Sequence, residues 1–349
     1  MKPRLFFSPI LALLLTTCAP GQPMPQGGGN ALRETPNATV PRAVPEEGNA
    51  AAGSLSVADG RLSYRQALMH RIELQEAAIR KAESAGMVDA HLAWIYEQLG
   101  LLYANVAMWD KSEASLEHAI SLFRHSPEEN DELAIALSGL GRVHVSLGKL
   151  RESEREEEEA LRLRQAKGDP LMIARSKDDL AELYLAQRKL AKAKDAARQA
   201  IDEFAGDMGA DAFDKVSARY TLALALCASK DCPSAVAPLK EAIEEAKTSF
   251  EMRDFPLGIG EFLLGYAYWK SGDVVGAGTY MERGTNLMND QLGWGHPMYL
   301  AALKHYARFL RESGRKEDAE EVERRVRRAE VVVDVRSFGT GSPSITGLR

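Results

Sequence analysis

The sequence predicts an all-α solenoid, in which helical hairpins stack on one another and share one continuous core. From about residue 61 onward, long segments carry apolar residues at helical spacing and are separated by short turn clusters. Within these segments a pair of residues, Leu followed by Gly or Ala in all but the last case, starts at residues 99, 140, 180, 222, 264 and 306. The spacings of 41, 40, 42, 42 and 42 predict about six copies of one helix-turn-helix unit.

Composition agrees with this fold class. Aromatic residues make up only 7% of the 349 residues, while Ala, Leu, Glu and Arg are abundant, and this balance favours helix over sheet. The formal charge is −6, with 44 basic and 50 acidic residues that are well mixed along the chain. A general nucleic-acid binder needs a basic face, so we expect no nucleic-acid partner.

The residue types at the repeated positions have physical reasons. A Gly or Ala after the Leu removes side-chain bulk where the two helices of a hairpin cross. A large side chain such as Tyr103, Tyr184 or Tyr268 then fills the space between neighbouring units. Since each hairpin alone would expose an apolar face, stacking is required to complete the core.

These residues, for example Leu99-Gly100 with Tyr103 and Leu264-Gly265 with Tyr268, resemble the tetratricopeptide repeat. The resemblance covers roughly residues 86–333, and the period of about 42 is similar to that of the kinesin-light-chain class. It implies a right-handed α-solenoid that binds protein or peptide ligands. A half-unit over residues 64–82 is expected to cap the front end of the array.

The first residues read as an export signal. Lys2 and Arg4 precede an apolar run from Leu5 to Thr17, which is too short to span a bilayer comfortably. Leu15-Thr16-Thr17-Cys18 resembles the bacterial lipobox, although Thr17 departs from the small residue usual before the Cys. We therefore expect lipidation of Cys18, with a plain secreted form and an uncleaved leader as open alternatives.

Four segments follow from these patterns. Residues 1–18 form the signal peptide, 19–60 a disordered Pro- and Gly-rich tether, 61–333 the solenoid and 334–349 a flexible tail. A flexible tether of this length has an end-to-end distance of about 35 Å. We accordingly expect a protein on the periplasmic side of a bacterial membrane or on the cell surface, held by its lipid anchor.

No pattern of catalytic residues stands out. The seven histidines form no metal-ligand pair at a recognised spacing, and neither a nucleophile elbow nor a phosphate-binding loop is present. Gly258-Ile259-Gly260 lies inside a predicted helix, so we interpret it as close helix packing. His144 stands where other units have Tyr and is interpreted as structural. We therefore expect no enzyme activity, no metal and no cofactor.

Two further features have open interpretations. Cys227 and Cys232 flank the turn of the fourth unit, where an oxidising compartment favours a disulfide, with free core thiols or redox chemistry as alternatives. The acidic run over residues 152–159 is interpreted as a solvated helix face, with a basic partner or a cation as the alternative.

The resemblance also implies a binding groove. In tetratricopeptide arrays the first helix of each unit lines the concave side. Counted from the repeat Leu, the inward positions are five and two residues before it, and two and five after it. The candidate binding residues are Trp94, Arg142, Arg175, Tyr220, Phe262, Tyr266, Trp269, Lys304, Arg308 and Arg311.

The last three units combine aromatic and basic candidates in this groove. We hypothesise a ligand peptide with aromatic or apolar side chains and an acidic group. The alternative is that the longer helices bury Phe262 and Trp269 between units. The functional expectation is a non-catalytic scaffold that is exported and lipid-anchored, or alternatively an assembly factor for outer-membrane proteins or pili.

Overall fold

The computed structural model describes residues 64–88, 90–126, 130–206, 209–249 and 255–338. Its α-helices are α1 (Tyr64–Ser84), α2 (Ala90–Asn105), α3 (Trp109–Phe123), α4 (Asn130–Ser146), α5 (Leu150–Lys167), α6 (Pro170–Ala186), α7 (Leu190–Gly206), α8 (Ala212–Ala228), α9 (Val236–Ser249), α10 (Phe255–Lys270), α11 (Val274–Leu292), α12 (Pro297–Glu312) and α13 (Lys316–Phe338). A short 3₁₀ turn, Pro233–Ala235, precedes α9. The described residues contain no strand, which confirms the all-α fold class.

The helices pair into six successive hairpins, α2/α3 through α12/α13, and α1 packs in front of the first. We number the hairpins as repeats 1 to 6 and name their helices A and B in chain order. Helix B of each repeat also packs against helix A of the next. The prediction of stacked helix-turn-helix units is therefore confirmed, with the cap provided by α1.

Successive A helices contact one another from repeat 1 through repeat 5, whereas the B helices lie mainly against the A helices before and after them. Helices that approach each other more closely occupy the inner layer of a curved stack. The A helices thus form the inner face and the B helices the outer face, as in other solenoids.

The turn inside each hairpin contains one residue in the left-handed region. These residues are Ala107, Gly148, Arg188, Lys230, Gly272 and Gly314, with φ values from 60° to 89°. They recur at the same period as the repeat Leu, so the backbone turn repeats as faithfully as the core. Three of the six are not glycine, and an L-residue in this region costs roughly 1 kcal/mol. The packing on both sides of the turn holds them there.

The connections between repeats have strong helix-start signals. Gly168 ends α5 in the left-handed region (φ 74°), and Asp169 then accepts hydrogen bonds from the amides of Leu171 and Met172 at the start of α6. Pro170 and Pro297 each occupy the first turn of a helix, where no backbone donor is needed. Proline therefore marks where a new repeat begins.

Glycine is required where helices cross most closely. A Cβ at Gly265 would lie 2.6 Å from the amide nitrogen of Met281, and one at Gly284 would lie 2.7 Å from the Cα of Phe262. Both contacts are between α10 and α11, and both involve backbone atoms that cannot rotate away. The small residues inferred from the sequence thus set the distance between the two helices.

Helix α10 differs from the other A helices because it has almost no exposed face. Leu257, Ile259, Phe262, Leu263 and Leu264 are all buried, although they point in different directions around the helix. The exception is Glu261, which is also buried and pairs with Arg283 of α11. A helix that is apolar on nearly every side belongs in the centre of a core. Repeat 5 is accordingly the most enclosed part of the inner layer.

Several sequence predictions concern residues that the structure does not describe. The expected signal peptide, Cys18, the tether over residues 19–60 and most of the expected tail lie outside the described ranges. Helix α13 continues to Phe338, past the expected end of the solenoid at residue 333. Within the described ranges, no helix combines the length and the apolar content that a membrane span requires.

Replacing Gly284 by Ala should destabilise the protein by about 1–3 kcal/mol, because the added methyl group meets the backbone of α10. Gly278→Ala, on the same helix, is the matched control. Its Cβ would lie 3.6 Å from the ring of Phe309, an ordinary contact, so the gain in helix propensity should stabilise by about 0.5–1 kcal/mol. Urea denaturation followed by circular dichroism measures both changes. Equal effects of the two substitutions would contradict the close crossing.

Candidate inner binding face

The inner face divides the predicted groove positions into two classes. Residues five before and two after the repeat Leu are half-buried in most repeats, whereas residues two before and five after are mostly buried. We call the half-buried residues of the first class the inner strip. They are Trp94, Leu101, Ile135, Arg142, Arg175, Ser217, Tyr266 and Arg308.

Helix geometry explains the division. Positions seven residues apart lie about 20° from each other around an α-helix, so the two inner-strip positions share one face. The other two positions are rotated by roughly 60–80° from that face, toward the following repeat. Asp178 illustrates this, because it accepts a hydrogen bond from Ser217 of the next repeat at 2.7 Å. Half of the predicted groove positions are therefore contacts between repeats.

Three of the candidate aromatic residues belong to these contacts, which corrects the expectation of an open aromatic shelf. Phe262 is 0% exposed, Tyr220 7% and Trp269 8%. Tyr220 packs against Gly260, where a Cβ would collide with its hydroxyl group. The alternative left open by the sequence, burial between repeats, applies to all three residues.

Tyr266 remains half-buried on the inner face and is surrounded by aromatic rings. Its ring makes edge contacts with Trp269 (centroids 5.7 Å apart) and His305 (5.5 Å). Cations cover the indole of Trp269: Lys270 Nζ lies 3.2 Å from a ring centroid, and the Arg308 guanidinium lies 5.8 Å away. Cation–π contact thus joins the aromatic core of repeats 5 and 6 to a basic surface.

The candidate cations of repeat 6 form ion pairs within that repeat; Lys304 and Arg311 are exposed and Arg308 is half-buried. Lys304 pairs with Glu330 at 2.7 Å, Arg308 with Glu312 at 2.9 Å, and Arg311 with Glu323 at 2.7 Å. Such exposed pairs are worth less than about 1 kcal/mol each. A ligand carboxylate can therefore exchange with these partners at low cost.

Arg142 and Arg175 have a different role from the one expected. Arg142 donates to Asp179 at 3.0 Å, and Arg175 makes two hydrogen bonds to Asp214, at 2.7 and 2.6 Å. Each Asp belongs to the repeat that follows its Arg. These half-buried pairs neutralise both guanidinium groups, so the middle of the inner strip is polar without being a basic surface.

A buried charge cluster supports the Arg142–Asp179 pair from behind. Arg164 of α5 is almost completely buried; it donates to Ser176 at 2.6 Å and lies 3.6 Å from Asp179. Glu157 of the same helix is also buried and accepts from Ser138 at 3.1 Å. Burial raises the pKa of the Glu157 carboxyl well above its ordinary value, with the nearby Asp179 charge adding to the effect.

Asp178 is a second buried acid with a raised pKa, and it borders the inner face. Burial raises the pKa of its carboxyl to about 7, although the hydrogen bond from Ser217 works in the opposite direction. The carboxyl therefore titrates near neutral pH. Perturbed acids also occur in structural networks, and the hydrogen bond between Asp178 and Ser217 joins two neighbouring repeats as such a network does.

The acidic run on α5 connects repeats, which corrects its interpretation as a solvated face. Glu154 accepts from Lys189 of repeat 3 at 3.2 Å, and Glu159 pairs with Arg124 of repeat 1 at 3.2 Å. Of the glutamates in the run, only Glu152 and Glu158 are well exposed. The negative charge is thus distributed among contacts with both neighbouring repeats.

His144 is a buried bridge between two B helices. Its Nδ1 lies 2.7 Å from Glu156 of α5, and its Nε2 lies 2.9 Å from Glu113 of α3. Burial works to lower the pKa of His144, but the hydrogen bonds to Glu156 and Glu113 outweigh burial and raise the pKa above its ordinary value. A protonated ring can donate to both carboxylates at once, so the ion bridge holds repeats 1 and 2 together.

This bridge predicts a pH dependence. Because the folded pKa of His144 lies above the unfolded value of about 6.5, its stabilisation is fully present below that pH. It is lost as the pH rises through the folded pKa. The difference in unfolding free energy between wild type and His144→Gln should therefore be largest at pH 5.5 and shrink toward pH 9. A difference that stays constant or grows with pH would contradict the bridge.

The two cysteines of repeat 4 lie at the turn between α8 and the 3₁₀ turn. The structure pairs Cys227 and Cys232 in a disulfide, with Cα atoms 4.2 Å apart. The bond connects the inner helix of repeat 4 to its outer helix. It encloses only a short loop, so it restrains the turn without linking repeats.

The described residues hold no group of three or more His, Cys, Asp or Glu side chains arranged to bind a metal ion. The inner face carries a line of half-buried side chains whose polarity changes from the first repeat to the last. Trp94, Leu101 and Ile135 are aromatic or apolar, the middle is polar, and Tyr266 and Arg308 end it. This arrangement suits contact with an extended chain.

Sequence reasoning missed the partners of the inner arginines. Asp179 lies 37 residues after Arg142, and Asp214 lies 39 residues after Arg175. Both separations are close to one repeat period, so each pair places opposite charges at nearly equivalent positions of adjacent repeats. A comparison of charges one period apart would have found both pairs.

Comparison with protein families agrees with the repeat pattern. The tetratricopeptide repeat model matches residues 91–166, which span repeat 1 and nearly all of repeat 2. This fold is typical of protein–protein interaction scaffolds. A search of curated protein sequences found no match to the chain.

Solved structures of helical-repeat proteins share the fold. The apo form of RapI is similar over 79% of this chain and 94% of its own, with 14% identity and a TM-score of 0.58. BtubC (BKLC) from P. vanneervenii is similar over 70% and 94%, with 19% identity and a TM-score of 0.51. A Rap protein complexed with competence and sporulation factor is similar over 76% and 77%, with 14% identity and a TM-score of 0.53. At these identities the similarity concerns the fold alone.

Proposed function

We propose that this chain is a non-catalytic adaptor that holds a protein or peptide segment along its inner strip, and that it is exported and anchored by lipid at Cys18. The observation that carries the binding role is the line of half-buried side chains that crosses the repeats on the inner face. Such partly exposed aromatic, apolar and Arg side chains are suited to binding because they bury further when a ligand is present.

The side chains of the inner strip indicate which chemical groups a ligand should carry. Trp94, Leu101 and Ile135 favour apolar side chains at one end. At the other end Arg308, together with Lys304 exposed beside the strip, favours a carboxylate, since both residues now form only weak surface ion pairs. The similar Rap protein was crystallised with competence and sporulation factor, which supports a ligand-holding role for this type of fold.

Export is supported by separate features. The first residues carry a basic start, an apolar run and a lipobox-like Leu15-Thr16-Thr17-Cys18. The disulfide between Cys227 and Cys232 fits an oxidising compartment. Under this proposal the tether over residues 19–60 would hold the solenoid away from the membrane, where the inner face can meet partners.

The double substitution Lys304→Glu and Arg308→Glu should weaken partner binding at least tenfold, because it reverses the charge at the basic end of the strip. Arg324→Glu with Arg328→Glu, on the exposed side of α13, is the matched control with the same change in net charge. Partners captured from native envelope extracts are identified by mass spectrometry, and the strongest is then titrated against purified wild type and variants. If the two double variants lose binding equally, the strip is not the binding surface.

Metabolic labelling with a radioactive fatty acid tests the anchor. Wild-type protein should incorporate label and fractionate with membranes, whereas Cys18→Ala should do neither, because the thiol that carries the acyl chains is gone. Cys227→Ala with Cys232→Ala is a control that removes two cysteines but leaves Cys18. Unlabelled wild-type protein would remove the anchor from the proposal and leave the binding role intact.

A further inference from the structure

The first described helix contacts a helix near the other end of the stack. Nη1 of Arg65, in the first turn of α1, donates to the carbonyl oxygen of Leu292 at 3.4 Å across a separation of 227 residues. A Cβ at Gly293, the next residue, would lie 3.3 Å from Cδ of Arg65. The start of α1 therefore lies against the end of α11, in repeat 5.

The chemistry of this contact is specific. The last carbonyl groups of a helix lack donors from their own helix and carry the negative end of its dipole. Leu292 is the last residue of α11, and Gly293 follows in a left-handed conformation with φ 82°. Arg65 supplies both a donor and a positive charge at this end, so it acts as a remote cap for α11.

The loop after α11 places an uncharged histidine ring near the positive charge of Arg65. His296 is buried there, and its Nδ1 accepts from the amide of Met298 at 3.2 Å. Burial, together with the charge of Arg65, lowers the pKa of His296 to about 3. The ring is therefore neutral at physiological pH, and no second positive charge repels Arg65.

The contacts of α1 with repeat 1 are stronger than its contact with repeat 5. Toward repeat 1 it buries Leu68, Ile72 and Ile79 in a cluster with Leu92 and Ile95. Toward repeat 5 the contact that the structure shows is polar and made by a half-buried Arg. Burial of several aliphatic side chains contributes far more to stability than one partly exposed hydrogen bond to a carbonyl group. The contact with α11 is thus the one that can open while α1 stays attached to repeat 1.

We propose that α1 is a latch: its first turn docks on the end of α11, joins repeat 1 to repeat 5 and closes these five repeats into a ring around their part of the inner strip. Docked, the latch leaves only the ends of the ring for entry. Released, it opens the side of the stack. The latch rests on the approach of α1 to α11 that the Arg65 contact marks, and its role in admitting a ligand rests on the function proposed above.

Double electron–electron resonance on the full-length chain tests the latch without any ligand. Spin labels are attached to p-acetylphenylalanine at His70 of α1 and Asn286 of α11, two exposed positions, so that all three native cysteines stay unchanged. Wild type should give one narrow distribution of short distances between the two spin labels. Arg65→Glu should lose most of that population to longer and broader distances, because a carboxylate faces the carbonyl end of α11.

Two variants keep the outcome interpretable. Arg65→Lys retains a charged donor and should keep the short distance, and Arg80→Glu, an equal charge change further along the exposed side of α1, should also keep it. Far-UV circular dichroism checks that each variant remains folded. A wild-type distribution without the short distance, or an unchanged distribution in Arg65→Glu, would overturn the latch while leaving the binding of partners by the strip untouched.

Discussion

The structure depends on one constraint: the two helices of a hairpin can cover their apolar sides only if they cross closely and if another hairpin covers what remains. Gly265 and Gly284 set the closest crossing, between α10 and α11, and every repeat completes the core of its neighbours. The stability of such a stack is a sum of weak units and strong interfaces. The inner strip consists of the side chains that this packing leaves partly open, so packing defines the candidate binding surface.

Much of the fold could be predicted because the constraint acts locally and repeats. The pair at each crossing recurs with the same period as the left-handed turn residues, and the sequence contains Gly at three of those six turns, for example Gly148 and Gly272. At Ala107, Arg188 and Lys230 the backbone adopts the same conformation without a glycine. At these three positions only the repeat spacing indicates the left-handed conformation, since the residue types alone would predict ordinary turns.

The candidate site was harder to predict because it depends on rotation of each helix about its axis. An error of 60–80° separates an exposed residue from one that faces the next repeat, and Phe262 and Trp269 fall on the wrong side of that division. The arginines were misassigned for a related reason. Arg142 and Arg175 predict a basic surface when each helix is considered alone. Each forms an ion pair without net charge when the aspartate about one period later is included.

The all-round apolar character of α10 has a consequence for how the array could evolve or be engineered. Repeats that expose one face can be duplicated, deleted or exchanged, because a new neighbour meets a standard surface. Helix α10 lacks such a surface, since Leu257, Phe262 and Leu263 are buried on different sides. Shortening the chain at repeat 5 would uncover aliphatic area in several directions at once and favour aggregation. We therefore expect repeat 5 to tolerate deletion or exchange less well than repeats whose first helix keeps an exposed face.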